Sequence, residues 1–284
     1  MLKIIDGQIL AEKIKNNIVQ EIAKLDDAKP NLAIVLVGEQ ADSELYVNLK
    51  EKEAKKVGID THLYRCPEDI SEQGLLEIIK YLNKDKIIDA ILVQLPLPNK
   101  INTDAVIMSL DQNKDVDGFH PKNLEKILNN NFDYLMPPVY AVILEMLNSI
   151  DYKIKDKKVC IISNSDIFSN PLFHILKHQC AEVEIIKVDD KNLVEKTKQA
   201  DILITAIGRP KFIKKEMIKD HAIIIDIGIT KQGNKVVGDV DSEDVKEKAD
   251  YLSPVPGGVG PMTIAMAFKN TLELYKTRRK VKSL

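Results

Sequence analysis

Short apolar runs alternate with segments of helical periodicity along the whole chain. The runs are LAIVLV (32–37), DAILVQ (89–94), KVCII (158–162), VEIIKV (183–188), DILITAI (201–207) and AIIIDIG (222–228). Runs this short and this continuously apolar suit strands buried on both faces, and strands separated by helices pair in parallel, so the expected class is α/β with parallel sheets. A further strand is expected at 59–65. Helices are expected at 9–25, 43–57, from Ser71 onward, near Thr103, and at 139–149, 171–179, 191–198 and 262–280. Between the two halves lies the polar segment 111–137, where Asn, Asp and Pro cluster and periodicity stops, so it reads as irregular and as the domain boundary. Two α/β domains are expected: residues 1–120 closed by the C-terminal helix at 264–284, and residues 121–263.

Forty-one Lys and Arg stand against 43 Asp and Glu, a net charge of −2 with 44% hydrophobic residues, which excludes a disordered chain and a strongly basic nucleic-acid binder. The N-terminus carries Asp6 and Gly7 where a signal peptide would be apolar, and no run of 18 apolar residues occurs, so neither secretion nor membrane spanning is expected. Cys66, Cys160 and Cys180 are widely spaced and odd in number. They read as reduced core residues of a cytoplasmic protein, with no metal site expected.

Several positions carry possible chemistry. Tyr46 and Lys50 are four apart on one helix and share a face. Gln94 follows an apolar strand and precedes two prolines, at the carboxyl end where open α/β sheets bind ligands. Asp115 and Asp117 precede Gly118 in a turn, and bonding to the local backbone accounts for at least one of them. After KVCII comes SNSDIFSNP, where a dinucleotide-binding domain would place a glycine-rich turn. No glycine occurs between Gly118 and Gly208, so Ser163 and Ser169 offer hydroxyls to phosphate but carry a Cβ where close approach wants none. Asp189 and Asp190 follow VEIIKV, roughly 20 residues beyond the turn, where a carboxylate accepts a ribose 2′-hydroxyl and repels a 2′-phosphate. The residues therefore favour NAD over NADP.

Seven blocks in order, YVNLKEKEAKKVGI (46–59), ILVQLPLP (91–98), KDVDGFHP (114–121), ADILITAIGRPKFI (200–213), IIIDIGI (223–229), VVGDVD (236–241) and SPVPGGVGPMTIAM (253–266), span nearly the whole chain. In them the chain resembles the methylenetetrahydrofolate dehydrogenase/methenyltetrahydrofolate cyclohydrolase family. The resemblance implies two α/β domains around a cleft, the second a Rossmann-type NAD(P)-binding domain, usually in a homodimer. It also implies oxidation of 5,10-methylenetetrahydrofolate with NAD(P)+ and hydrolysis of the methenyl product to 10-formyltetrahydrofolate. By resemblance Lys50 is the catalytic lysine, Gln94 its hydrogen-bond partner, Tyr46 the ring stacked on the folate, and Asp117 the carboxylate that holds the pterin. Pro256, Gly257, Gly258, Pro261 and Thr263 match the loop lining the cleft. Ser163, Asn164, Ser165, Asp189, Ala206, Gly208 and Ile229 fall at the cofactor positions.

The chain departs from the family at the cofactor turn. Ser163, Asn164 and Ser165 stand for G-R-S, and Phe168, Ser169, Asn170 and Pro171 for V-G-x-P, while Pro137, Pro138, Val139 and Tyr140 replace P-C-T-P. Three readings follow: the bifunctional enzyme, a cyclohydrolase with weakened dehydrogenase activity, and a folate-binding subunit without activity. Intact Lys50, Gln94 and Asp117 argue against the last.

Overall fold

The computed structural model describes residues 2–25, 29–132, 135–179, 181–233 and 235–282. In chain order, the first part contains β1 (Lys3–Ile4), α1 (Gly7–Ile22), β2 (Asn31–Val37), α2 (Ala41–Val57), β3 (Asp60–Cys66), α3 (Glu72–Lys84), β4 (Ala90–Val93), α4 (Thr103–Ser109) and α5 (Pro121–Leu128). There follow α6 (Pro138–Ser149), β5 (Lys158–Ser163), α7 (Asp166–His178), β6 (Glu182–Ile186), α8 (Leu193–Thr197) and β7 (Ile202–Ala206). The chain ends with β8 (Ile223–Asp226), the short pair β9 (Thr230–Gln232) and β10 (Lys235–Val237), α9 (Ser242–Val245), β11 (Tyr251–Leu252) and α10 (Val259–Lys282).

Two compact units share these elements. One comprises Glu12–Glu125, Asp133–Pro138 and Ile264–Leu284 and is built on the parallel sheet β3-β2-β4. Its central strand, β2, is buried from Leu32 to Val37, which is why its sequence reads as an unbroken apolar run. Ser71 caps α3 by accepting from the Gly74 amide at 3.1 Å, and Gly58 ends α2 with φ of 88°, the left-handed stop that favours glycine. Near the end of α10, Arg278 pairs at 2.9 Å with buried Asp89, which also accepts from the Asn31 amide at 3.0 Å. This ties the helix to the starts of β4 and β2.

The other unit comprises Met1–Ala11, Lys126–Phe132 and Val139–Thr263. Its sheet, β1-β11-β8-β7-β5-β6, is parallel throughout. The structure groups the N-terminus differently from the expected domain bounds. Residues 1–11 join this unit because Lys3 and Ile4 pair with Tyr251 and Leu252. Two-residue strands joined across the length of the chain leave no periodic trace.

Two further expectations change. The segment 111–137 is not irregular throughout: Pro121 opens α5 at the first helical position, and Asn123 and Ile127, four apart, face inward. The helix expected at 171–179 starts at Asp166, because Ser165 caps it by accepting from the Phe168 amide at 3.3 Å. Pro171 therefore lies inside α7, where it withholds the N–H due to the Ile167 carbonyl. The buried Tyr140 hydroxyl donates there instead, at 3.3 Å, and to the Phe168 carbonyl at 2.9 Å. Cys66 and Cys160 are buried and free, whereas Cys180 lies outside the described residues.

Candidate active site

In the three-stranded unit, α2 presents Tyr46 and Lys50 one turn apart, Tyr46 exposed and Lys50 half-buried. β4 stops at Val93, and Gln94 continues its line by donating its backbone N–H to the Val35 carbonyl at 2.8 Å. The Gln94 amide then works from both ends. Its Nε2 donates to the Leu95 carbonyl at 2.6 Å, and its Oε1 accepts from Lys50 Nζ at 2.9 Å. Because the amide nitrogen is committed to the backbone, the oxygen faces the amine, and a lysine whose position is set by one acceptor keeps its other donors for a ligand.

The segment from Lys114 to Val116 runs beside β4, with Ile91 and Asp115 bridged in parallel. Asp115 holds the following turn, accepting from the amides of Gly118 (3.0 Å) and His120 (2.8 Å) and from Asn123 Nδ2 (3.2 Å). Gly118 has φ of 70°, and a Cβ there would press on Pro137 at 3.2 Å. Of the two aspartates, Asp115 is the one bonded to its own turn, and Asp117 is left in the field of Lys50. Burial pushes the Asp117 carboxyl up to about 6, with Lys50 opposing and Asp115 adding to the shift. Burial likewise holds the Lys50 amine below the ordinary lysine range, against the pull of Asp117. A lysine lowered in this way is nearer to the neutral form a general base needs.

The other unit carries Pro256, Gly257, Gly258, Pro261 and Thr263. Gly257 adopts φ of 101°, and a Cβ on Gly258 would stand 2.5 Å from the Pro254 carbonyl oxygen, so this bend admits only glycine at both positions. Pro261 lies in the first turn of α10, and the Thr263 hydroxyl donates to the Gly260 carbonyl at 2.7 Å.

At the carboxyl end of β5 the turn differs from expectation. Ser163 and Ser169 are fully buried and use their hydroxyls inside the turn. Ser163 Oγ accepts from the Ser165 amide at 3.1 Å, and Ser169 Oγ donates to the Ser165 carbonyl at 2.9 Å. Neither hydroxyl is presented to a ligand, which corrects the expectation for Ser163. Asn164 and Ser165 are exposed, and Asn164 Oδ1 accepts from the Val188 amide at 3.2 Å. Lys187, which the motif reading passed over, pairs with Asp166 in the first turn of α7. Of the acidic pair, Asp190 bonds Lys196 at 2.8 Å and the Asn192 amide at 2.8 Å, while Asp189 is exposed beyond β6. Ala206 and exposed Gly208, with φ of 66°, leave β7, and Ile229, half exposed at 51%, leaves β8. No group of His, Cys, Asp or Glu suited to a metal ion occurs among the described residues.

Known proteins also divide along this chain into two domains, with bounds that differ from the two compact units at residues 5–11 and 264–279. Residues 5–117 match the profile described as tetrahydrofolate dehydrogenase/cyclohydrolase, catalytic domain, and residues 137–279 match the NAD(P)-binding domain of the same enzymes. The chain belongs to the tetrahydrofolate dehydrogenase/cyclohydrolase family. It is 43% identical to the bifunctional protein FolD of a Nitratiruptor species over 98% of this chain and 100% of that one. The bifunctional FolD enzyme of Campylobacter jejuni superimposes with a TM-score of 0.94 at 36% identity, covering 98% and 100% of the two chains. The Trypanosoma brucei dehydrogenase-cyclohydrolase, solved with NADP and an inhibitor, gives 0.92 at 29% identity, with 98% of each chain covered.

Proposed function

We propose that this member of the family oxidises 5,10-methylenetetrahydrofolate to the methenyl form with a nicotinamide dinucleotide and hydrolyses the methenyl form to 10-formyltetrahydrofolate. The observation that carries the reading is the Lys50–Gln94 hydrogen bond at 2.9 Å beside an Asp117 whose charge acts on the same amine. Hydrolysis adds water to a carbon flanked by two nitrogens and removes a proton from that water. The adduct then breaks one carbon–nitrogen bond, its hydroxyl proton passing to the released nitrogen as the carbon becomes the formyl carbonyl. Lys50, desolvated and oriented by Gln94, takes the proton in its neutral form, and a cationic substrate beside it favours that form further. Tyr46, exposed one turn away, offers a ring for the flat pterin or benzoyl group, and Asp117 accepts from pterin N–H donors.

Exposed Asn164 and Ser165 at the start of α7 and exposed Asp189 beyond β6 fit the adenosine end of a dinucleotide. When bound, the dinucleotide supplies the hydride acceptor. Asn164 in place of a cation and the carboxylate of Asp189 favour a free 2′-hydroxyl, and hence NAD over NADP. We further propose a homodimer working in the cytoplasm, without nucleic-acid or membrane partners. Two buried free cysteines, the balanced charge and the family pattern support it.

The test is to assay the purified protein for methenyl hydrolysis and for methylene oxidation with NAD+ and NADP+ separately. Hydrolysis with NAD-linked oxidation is expected. Faster oxidation with NADP+ would overturn the cofactor assignment, and hydrolysis without either oxidation would select a cyclohydrolase that has lost its partner reaction.

A further inference from the structure

Two aspartates that this chemistry does not use lie buried where β7 and β8 end. Asp239 accepts from the backbone N–H groups of Ile207 at 2.8 Å and Arg209 at 2.9 Å, and from the Thr205 hydroxyl at 3.0 Å. Asp226 accepts from the N–H groups of Gly228 at 3.0 Å, Asp239 at 3.1 Å and Val240 at 2.9 Å. One carboxylate thus shapes the loop leaving β7, and the other joins the loop leaving β8 to the segment carrying its partner.

Two glycines complete the arrangement. A Cβ on Gly228 would stand 2.1 Å from the Asp239 carboxyl carbon, and a Cβ on Gly238 would stand 2.1 Å from Asp226 Oδ2. Each glycine lies close in sequence to one aspartate and makes room for the other. Burial pushes the Asp226 carboxyl up to about 7, against the hydrogen bond from the Val240 N–H and with the nearby Asp239 charge adding to the rise. Burying like charges is costly, so the pair suits a shaping role better than a stabilising one.

The loops so held are those at the carboxyl ends of strands in a parallel sheet, where ligands bind. They present Gly208 with its left-handed backbone, and Ile229, a large apolar side chain held 51% exposed. We propose that Asp226 and Asp239, interlocked with Gly228 and Gly238, are positioning residues that hold the two strand-end loops in the shape that receives the nicotinamide dinucleotide. This rests on the NAD(P)-linked reading above. The carboxylates act through the loop backbone and need not touch the dinucleotide, and Lys50, Gln94 and Asp117 belong to the other unit. Damage to the interlock therefore falls on dinucleotide affinity and spares hydrolysis.

The test compares Asp239→Asn, which replaces an acceptor oxygen by a donor facing an N–H, with Gly228→Ala, which leaves both carboxylates intact but crowds one. Both should raise the dinucleotide KM in methylene oxidation roughly tenfold or more, with methenyl hydrolysis within about twofold of the unsubstituted protein. Thr205→Val, which removes one bond, is the milder variant should either fail to fold, and should raise the same KM by about threefold. An unchanged KM in folded variants, or oxidation and hydrolysis falling together, would overturn the proposal. Titration of the unsubstituted protein with NAD+ and NADP+ separates the two levels. Binding of neither would overturn the NAD(P)-linked reading and the proposal with it, whereas binding that the variants do not alter would overturn the proposal alone.

Discussion

Replacing Lys50 by Met keeps the four-atom stem and removes the amine. The structure says what else the change touches. Gln94 loses the donor to its Oε1 but stays anchored through Nε2 to the Leu95 carbonyl at 2.6 Å, so the amide that oriented the lysine keeps its place. Asp117 loses the nearby cation that opposes its upward shift, and its carboxyl rises further above about 6. What disappears outright is the proton acceptor. A positioned general base contributes about 10²–10⁴ in rate, which at about 1.4 kcal/mol per tenfold is ~3–5 kcal/mol of barrier. Methenyl hydrolysis should therefore fall by at least about a hundredfold. Folate binding should persist, and methylene oxidation, which needs positioning more than a base, should fall much less. Lys50 is held below its ordinary range, so the unfolded chain binds its proton more readily than the folded one and the charged amine weakens the fold at neutral pH. The Met variant should then melt no lower than the unsubstituted protein. The decisive assay is hydrolysis and oxidation by one preparation, with a melting curve alongside. Hydrolysis within about threefold of the unsubstituted protein would refute Lys50 as the base, and a lower melting temperature would refute the claim that its charge is buried at a cost.

The other expectations are shorter. The Asp117 carboxyl is raised from 3.8 to about 6, so its contribution is fully present below pH 3.8 and lost as pH rises through 6. Asp117→Asn should escape that loss, at most ~3 kcal/mol, and urea unfolding at pH 4.5 and 7.5 should show a smaller decline for the variant. Parallel declines would count against a desolvated Asp117. Asn164→Arg gives up one hydrogen bond, to the Val188 amide at 3.2 Å, worth ~1 kcal/mol, and places a guanidinium beside the cofactor turn. It should lower the KM for NADP+ relative to that for NAD+, and an unchanged ratio would detach the turn from cofactor choice. Arg278→Met leaves the Asp89 side chain, 4% exposed, without its cation and should cost ~3 kcal/mol, read as a drop in the urea midpoint. A change under about 0.5 kcal/mol would show the pair to be dispensable.

The sequence disclosed those features whose physical signal is local. β2 and β4 were legible because a strand buried on both faces shows an unbroken apolar run, and α3 because a serine cap precedes an amphipathic pattern. Tyr46 and Lys50 could be placed on one helix face by spacing, but their standing as a site came from the family resemblance, since lysines at 52, 55 and 56 have the same composition around them. Which of Asp115 and Asp117 would serve the turn was not legible. The answer depends on amides at 118 and 120 and on Asn123, whose approach α5 controls, and α5 itself was hidden in a polar segment. The interlock of Asp226 with Asp239 was invisible for the same reason, being made by bonds across thirteen positions and by glycines that look like ordinary loop residues.

The altered cofactor turn is where structure changes the argument most. From sequence, two serines in place of glycines imply two Cβ atoms in the path of a pyrophosphate. In the folded chain both side chains point inward, Ser163 bonded to the Ser165 amide and Ser169 to the Ser165 carbonyl, so neither crowds the exposed side of the turn. The neighbouring substitutions belong to the same rearrangement. Tyr140 donates to the carbonyl that Pro171 leaves unpaired in α7, and its ring lies 5.6 Å from that of Phe168. Buried serines and a buried tyrosine thus give the turn an internal framework that needs no glycine. Whether a dinucleotide is accepted then falls to what remains exposed: Asn164, Ser165, Asp189, and the Lys187–Asp166 pair at the mouth of the turn. The loss of glycine here reads as a rebuilt turn, and the Asn164→Arg variant measures how far the rebuilding has shifted its choice of phosphate.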